Sequence, residues 1–186
     1  MNNIYKTPVA PLVEANAQKT PFFITSIGKM CLLYLATMGL YGVYWYYKLW
    51  DSQRNTLEKI SPLWRCIFYI FYVHSLCRLI DQRLVAQQQP IWLYRRVATS
   101  IVLLFIARLA WEIISKSNNN YLLNTCITWS FTAAHLLPMV LIQRKVNLAS
   151  NDPDGETNSS LSLGNYIWII LGLLLWVGVI QDTRTL

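Results

Sequence analysis

Charge is scarce in this sequence: only 13% of its 186 residues are Asp, Glu, Lys or Arg, against roughly 25% in soluble domains. The shortage excludes an ordinary hydrated surface and makes lipid the expected solvent. Catalytic material is equally thin. Two histidines and seven glycines form no H-E-x-x-H, no G-x-S-x-G, no cluster of paired carboxylates and no phosphate-cradling loop, so neither enzymatic activity nor a cofactor is expected. Cys31, Cys66, Cys77 and Cys126 lie in or near apolar runs without C-x-x-C spacing or a neighbouring His, the pattern of small hydrophobes and not of a metal site or disulfide framework. His74 and His135 have no further ligands near them on their own segments, which excludes a tetrahedral metal site. No cleavable signal peptide is expected either, because about 29 polar and mixed residues precede the first apolar run.

Long charge-free runs are what the sequence does have. Met30 to Tyr47 (18 residues), Tyr121 to Gln143 (23) and Leu161 to Gln181 (21) contain no charged residue, and a run of about 18 can cross a hydrocarbon core about 30 Å thick. Leu63 to Ile80 carries Arg65, His74 and Arg78, which do not share one face at 100° per residue and so argue against a helix lying flat on the membrane. Val97 to Ile114 is interrupted by Arg108 and Glu112, yet its apolar residues outweigh a charge costing about 3 kcal/mol at the centre of a span. The expectation is an all-α polytopic transmembrane helical bundle over residues 28–186. Its five spans fall near 28–49, 63–80, 97–115, 121–143 and 162–181, with a four-span alternative if 63–80 stays at the interface.

Residues 1–27 read as an extended tail in which Pro8-Val9-Ala10-Pro11 forms a P-x-x-P match. Ser150 to Ser160 reads as a solvated turn with Pro153 and Gly155, too irregular for a calcium loop. Asn158-Ser159-Ser160 also fits a glycosylation sequon. An aromatic cluster from Tyr41 to Trp50 marks a membrane interface. Ala36, Gly39 and Gly42 recur every three residues and predict a smooth packing strip on the first span.

Net charge is +7, but the cations cluster at the edges of apolar runs, where they act as topology signals, and no nucleic acid partner is expected. Five spans with a cytoplasmic N-terminus place nine Lys and Arg inside and six outside. The intramembrane ionisable groups are the candidate functional residues, since lipid makes them costly. His74, Arg78 and Asp81 form one stripe with i, i+4, i+7 spacing. Arg108 and Glu112 pair at i, i+4. His135 shares a face with Thr128 and Thr132, one turn before Pro138.

Gly39-Leu40-Tyr41-Gly42-Val43-Tyr44-Trp45-Tyr46-Tyr47 with Trp50 resembles the G-L-Y-x-x-Y-W-x-Y signature of small gammaproteobacterial inner-membrane proteins. Ser61 to Arg65 and His74 to Arg78 resemble a second block in some of them. Asn3 to Ala10 is similar to their N-P-Y-x-A-P-x-A tail, with Ile4 and Thr7 as departures. The resemblance covers roughly residues 1 to 81; it implies a bacterial inner membrane and carries no activity. Short loops, one smooth helix face and few intramembrane charges favour the first of two functions over the second. One is a non-enzymatic accessory or assembly factor that docks on another membrane protein, or on its own copies, through the smooth strip. The other is a small transporter or channel component with a polar path near Arg108, Glu112 and His135.

Overall fold

The computed structural model describes residues 21–57, 60–117 and 120–184; the P-x-x-P motif and most of the 1–27 tail lie outside them. Among the described residues the protein is all helical, with no strand. Its seven α-helices are α1 (Ile27–Ala36), α2 (Tyr41–Asp51), α3 (Pro62–Ile67), α4 (Tyr69–Ala86), α5 (Tyr94–Ile114), α6 (Tyr121–Ala149) and α7 (Leu163–Arg184). Two segments, Tyr94–Ser117 and Tyr121–Ala149, are long and apolar enough to cross a membrane.

The Ser26 hydroxyl caps α1 by accepting from the Lys29 N–H at 3.4 Å. The helix stops after Ala36 because Met38 (φ 55) and Gly39 (φ 87) adopt left-handed backbone. Gly39 N–H returns to the Tyr34 carbonyl at 2.8 Å and Met38 N–H to Leu35 at 3.2 Å, which satisfies the last carbonyls of the helix. The Thr37 hydroxyl then joins the two helices, donating to the Leu33 carbonyl at 2.7 Å and accepting from the Tyr41 N–H at 2.9 Å. The chain reverses here. Arg83 shows where it returns: its guanidinium covers the Phe22 ring at 4.5 Å and donates to Gln53 Oε1 at 3.2 Å. The residues just before α1 and just after α2 thus meet at one side chain.

The uninterrupted helix expected over 28–49 is therefore corrected to a helical hairpin. Absence of charge measures compatibility with lipid and says nothing of backbone direction, which Met38 and Gly39 decide. The helix expected over 63–80 is also interrupted. Phe68 (φ −98, ψ 37) separates α3 from α4, although Phe68 N–H still bonds Trp64 and Phe71 N–H bonds Phe68.

α5 and α6 run antiparallel, joined at the end we call distal by Ser115–Ser117 and residues 118–120; the end where Phe22, Gln53 and Arg83 meet is proximal. Helix α6 continues through Pro138. The hairpin tip lies against it: Tyr34 donates its hydroxyl proton to the Thr132 carbonyl at 3.3 Å. At 1.5 Å per residue, Thr132 stands roughly 16 Å from the distal end of α6 and roughly 26 Å from the proximal end. The hairpin thus enters from the proximal side and stops part-way.

A buried amide chain holds its base. Trp45 Nε1 donates to Gln143 Oε1 at 2.6 Å, and Gln143 Nε2 donates to Asn147 Oδ1 at 2.6 Å and to the Phe23 carbonyl at 3.1 Å. Asn147 Nδ2 donates to the Thr25 carbonyl at 2.9 Å. The non-helical segment 21–26 thereby gains partners for backbone groups that burial would otherwise leave unsatisfied. The 150–160 loop, expected as a solvated turn, clasps the same segment: Asn158 Nδ2 donates to the Ile24 carbonyl at 2.8 Å. Lys29 Nζ donates to Asn158 Oδ1 at 2.6 Å and to the Ser160 carbonyl at 2.8 Å.

Candidate functional site

Because the hairpin stops short, the space beyond its tip and between α5 and α6 is open. It forms a cavity of about 430 Å³. Met38, Gly39 and Leu40 at the tip make one wall, Arg108 and Glu112 of α5 a second, and Thr132 and His135 of α6 a third. Three of the ionisable residues singled out in the sequence thus converge on one place, and the place is the reversal of a broken helix.

Arg108 Nε stands 3.9 Å from Glu112 Oε1, and the two side chains are 48% and 49% exposed. This is a loose pair at the mouth of the cavity and not a buried ion lock. Glu112 lies two residues from the distal end of α5 and Arg108 six, or about 3 and 9 Å along the axis, so the mouth faces the distal side. His135 sits deeper, edge-on to Tyr69 with ring centroids 5.9 Å apart. Tyr69 also stacks on Tyr46 at 4.8 Å and meets Phe105 at 5.8 Å. The back of the cavity is therefore an aromatic wall that carries the His135 imidazole, and its mouth offers one cation and one anion.

His74, Arg78 and Asp81 do not join this site. His74 is exposed and shares a hydrogen bond with Thr99 Oγ1 at 3.2 Å. Arg78 is exposed and Asp81 half-buried, and neither makes an ion pair among the described residues. Their helical stripe lies along an outer face of α4.

Ala36, Gly39 and Gly42 do not form a strip on one helix, since the reversal falls between them. Each is used inside the chain instead. Ala36 receives Gly172 of α7, where no side chain would fit. A β-carbon at Gly39 would meet the Tyr34 hydroxyl at 3.3 Å, and one at Gly42 would meet the Tyr34 ring at 3.1 Å. Tyr34, which supports the tip, and Met38 were not singled out in the sequence, and Gly39 was singled out for packing and not for its left-handed backbone. The glycine inside an apolar run was the available signal for a break. His135 and Thr132 were legible from their shared face.

Among the described residues no group of His, Cys, Asp and Glu is arranged to hold a metal ion. Set against protein-family models, curated proteins and solved structures, the chain finds no match, so the chemistry of this cavity is the guide to what the protein does.

Proposed function

We propose that this chain is a multi-pass protein of the bacterial inner membrane and a component of small-solute transport, its solute site being the distal cavity at the hairpin tip. The observation that carries the reading is the coincidence of a helix reversal with Arg108, Glu112 and His135. Irregular backbone at membrane depth is tolerated where it is buried in protein or lines a polar cavity, and transporters place their sites at such breaks. Ionisable groups held at that depth mark solute or ion paths. The opposite charges of Arg108 and Glu112 suit a zwitterionic or paired-ion solute.

In this reading α5, α6 and α7 cross the membrane, the α1–α2 hairpin dips in and returns, and α3–α4 packs beside it. This arrangement replaces the five crossings with three. Among the described residues, Lys29, Lys48, Arg54, Arg65, Arg78, Arg83, Arg95, Arg96, Arg144 and Lys145 then belong to the proximal half, and Arg108, Lys116 and Arg184 to the distal half. Ten against three supports a cytoplasmic proximal face. The small residues expected to dock a partner are instead in contact with Tyr34 and α7, which favours the transport reading over the accessory-factor one.

Solvent access tests the proposal. In a chain whose four cysteines are replaced by serine, Met38→Cys should react with a membrane-impermeant thiosulfonate added from the periplasmic side. Leu103→Cys on the lipid face, 60% exposed, should not. A Met38→Cys side chain that reacts only with membrane-permeant reagents would mean that the cavity is dry, and the transport reading would fail. Glu112→Gln should abolish solute flux in reconstituted vesicles while shifting stability by no more than about 1 kcal/mol, as for an exposed pair.

A further inference from the structure

A second cavity lies at the opposite end of the molecule, between the first turn of α1, the start of α5 and the end of α6. Its walls divide by chemistry. Val97, Leu141 and Leu148 supply an apolar lower part, and Arg144 and Lys145 stand at the rim on consecutive positions of α6. Neither cation makes an ion pair among the described residues. Ile27 and Gly28 occupy the first turn of α1, where backbone N–H groups have no partner within the helix, and a β-carbon at Gly28 would meet nothing within 4 Å. A further donor belongs to Trp92, which lines the same cavity at 7% exposure and whose Nε1 has no hydrogen-bond partner. A buried indole N–H without a partner is costly, and Asp154 is the one anionic side chain among the lining residues.

We infer that this cavity binds the phosphate of an anionic phospholipid of the cytoplasmic leaflet. The diester takes the cations and the N–H donors, and one acyl chain lies along Leu141 and Leu148. Two features favour lipid over a soluble phosphate. The apolar wall is continuous with the exposed surface of α6, on which Leu141 is 47% exposed, and the position matches the basic pockets that bind headgroups between membrane helices. Asp154 disfavours a dianion, so a singly charged diester fits better than a phosphate monoester. The inference rests on the membrane placement proposed above but not on transport through the distal cavity.

The experiment is native mass spectrometry of the full chain, delipidated in detergent and titrated with phosphatidylglycerol or phosphatidylcholine. Wild type should retain phosphatidylglycerol at least tenfold more strongly than phosphatidylcholine. Arg144→Gln with Lys145→Gln should remove that preference, Trp92→Phe should reduce it several-fold, and Arg95→Gln with Arg96→Gln should leave it intact. Equal loss in both double variants would mean diffuse charge attraction and overturn the site. Displacement of the lipid by millimolar inorganic phosphate would make it a soluble-anion site and overturn the lipid assignment. Recovery of the protein in the soluble fraction after alkaline extraction of membranes would instead defeat the membrane placement, a failure distinguishable from loss of lipid preference.

Discussion

Gly155 and Gly178 form a controlled pair at the residue scale. Gly155 has φ 70, and a β-carbon there would stand 2.5 Å from the Thr25 carbonyl oxygen, whereas Gly178 has open space around it. Gly155→Ala should therefore lower stability by about 2 kcal/mol or more, from backbone strain together with loss of the loop's contact with segment 21–26. Gly178→Ala, on the exposed side of α7, should be neutral or slightly stabilising; detergent melting of the two variants checks both. Asp152 offers a pH test in the same loop. Its carboxylate accepts from Thr157 Oγ1 at 2.7 Å, Thr157 N–H at 3.0 Å and Glu156 N–H at 3.0 Å, and these bonds hold its pKa below the ordinary aspartate value. A depressed folded-state pKa gives stability that is present above about 3.9, the unfolded value, and is lost as pH falls through the lower folded one. The Thr157 amide resonance should titrate with a midpoint below the ordinary aspartate value. In Asp152→Asn it should be insensitive to pH across that titration range.

At the scale of elements, the hairpin depends on α6 for its polar partners. Replacing Asn147 by Leu removes the group that satisfies the Thr25 backbone and orients Gln143. Each buried group left unsatisfied costs about 1–3 kcal/mol, so the variant should melt lower by several kcal/mol, and hydrogen exchange should show residues 21–26 opening before α5 and α6. Simultaneous opening of all helices would show that the hairpin has no separate stability. Much of this element structure was legible in the sequence. The starts of α6 and α7 and the end of α5 follow from apolar runs bounded by Asn, Ser and Gly, whereas α6 continues to Ala149, past the expected end at residue 143. The α1–α2 reversal did not follow, because a Met in left-handed backbone has no compositional mark and Gly39 read equally well as a packing residue. Nor did the amide chain: Gln143 and Asn147 look like the polar end of a span until segment 21–26 is found beside them. For the site, Arg108, Glu112 and His135 were legible as costly groups in lipid. That they face one cavity depended on where α1 stops.

For the whole molecule, topology is the decisive quantity. Gln53 and Arg83 are in contact, so reporters fused after Asn55 and after Gln88 should land on the same face, together with one in the 150–160 loop. A reporter placed between α5 and α6 should land on the other. Opposite faces for Asn55 and Gln88 would restore a crossing by α3–α4 and remove the returning hairpin. The amide chain also imposes an order in time. Thr25 and Asn147 are separated by 122 residues, and at about 5–20 residues per second a ribosome needs roughly 6–24 s to make the second after the first. During that interval the hairpin has no α6 to bond, and the Phe23 and Thr25 carbonyls lack the amide partners that α6 later supplies. Under the proposed membrane placement, the first half of the protein is thus synthesised as a passenger that enters the bilayer only after the second half has been installed, so that its biogenesis would run against the direction of translation.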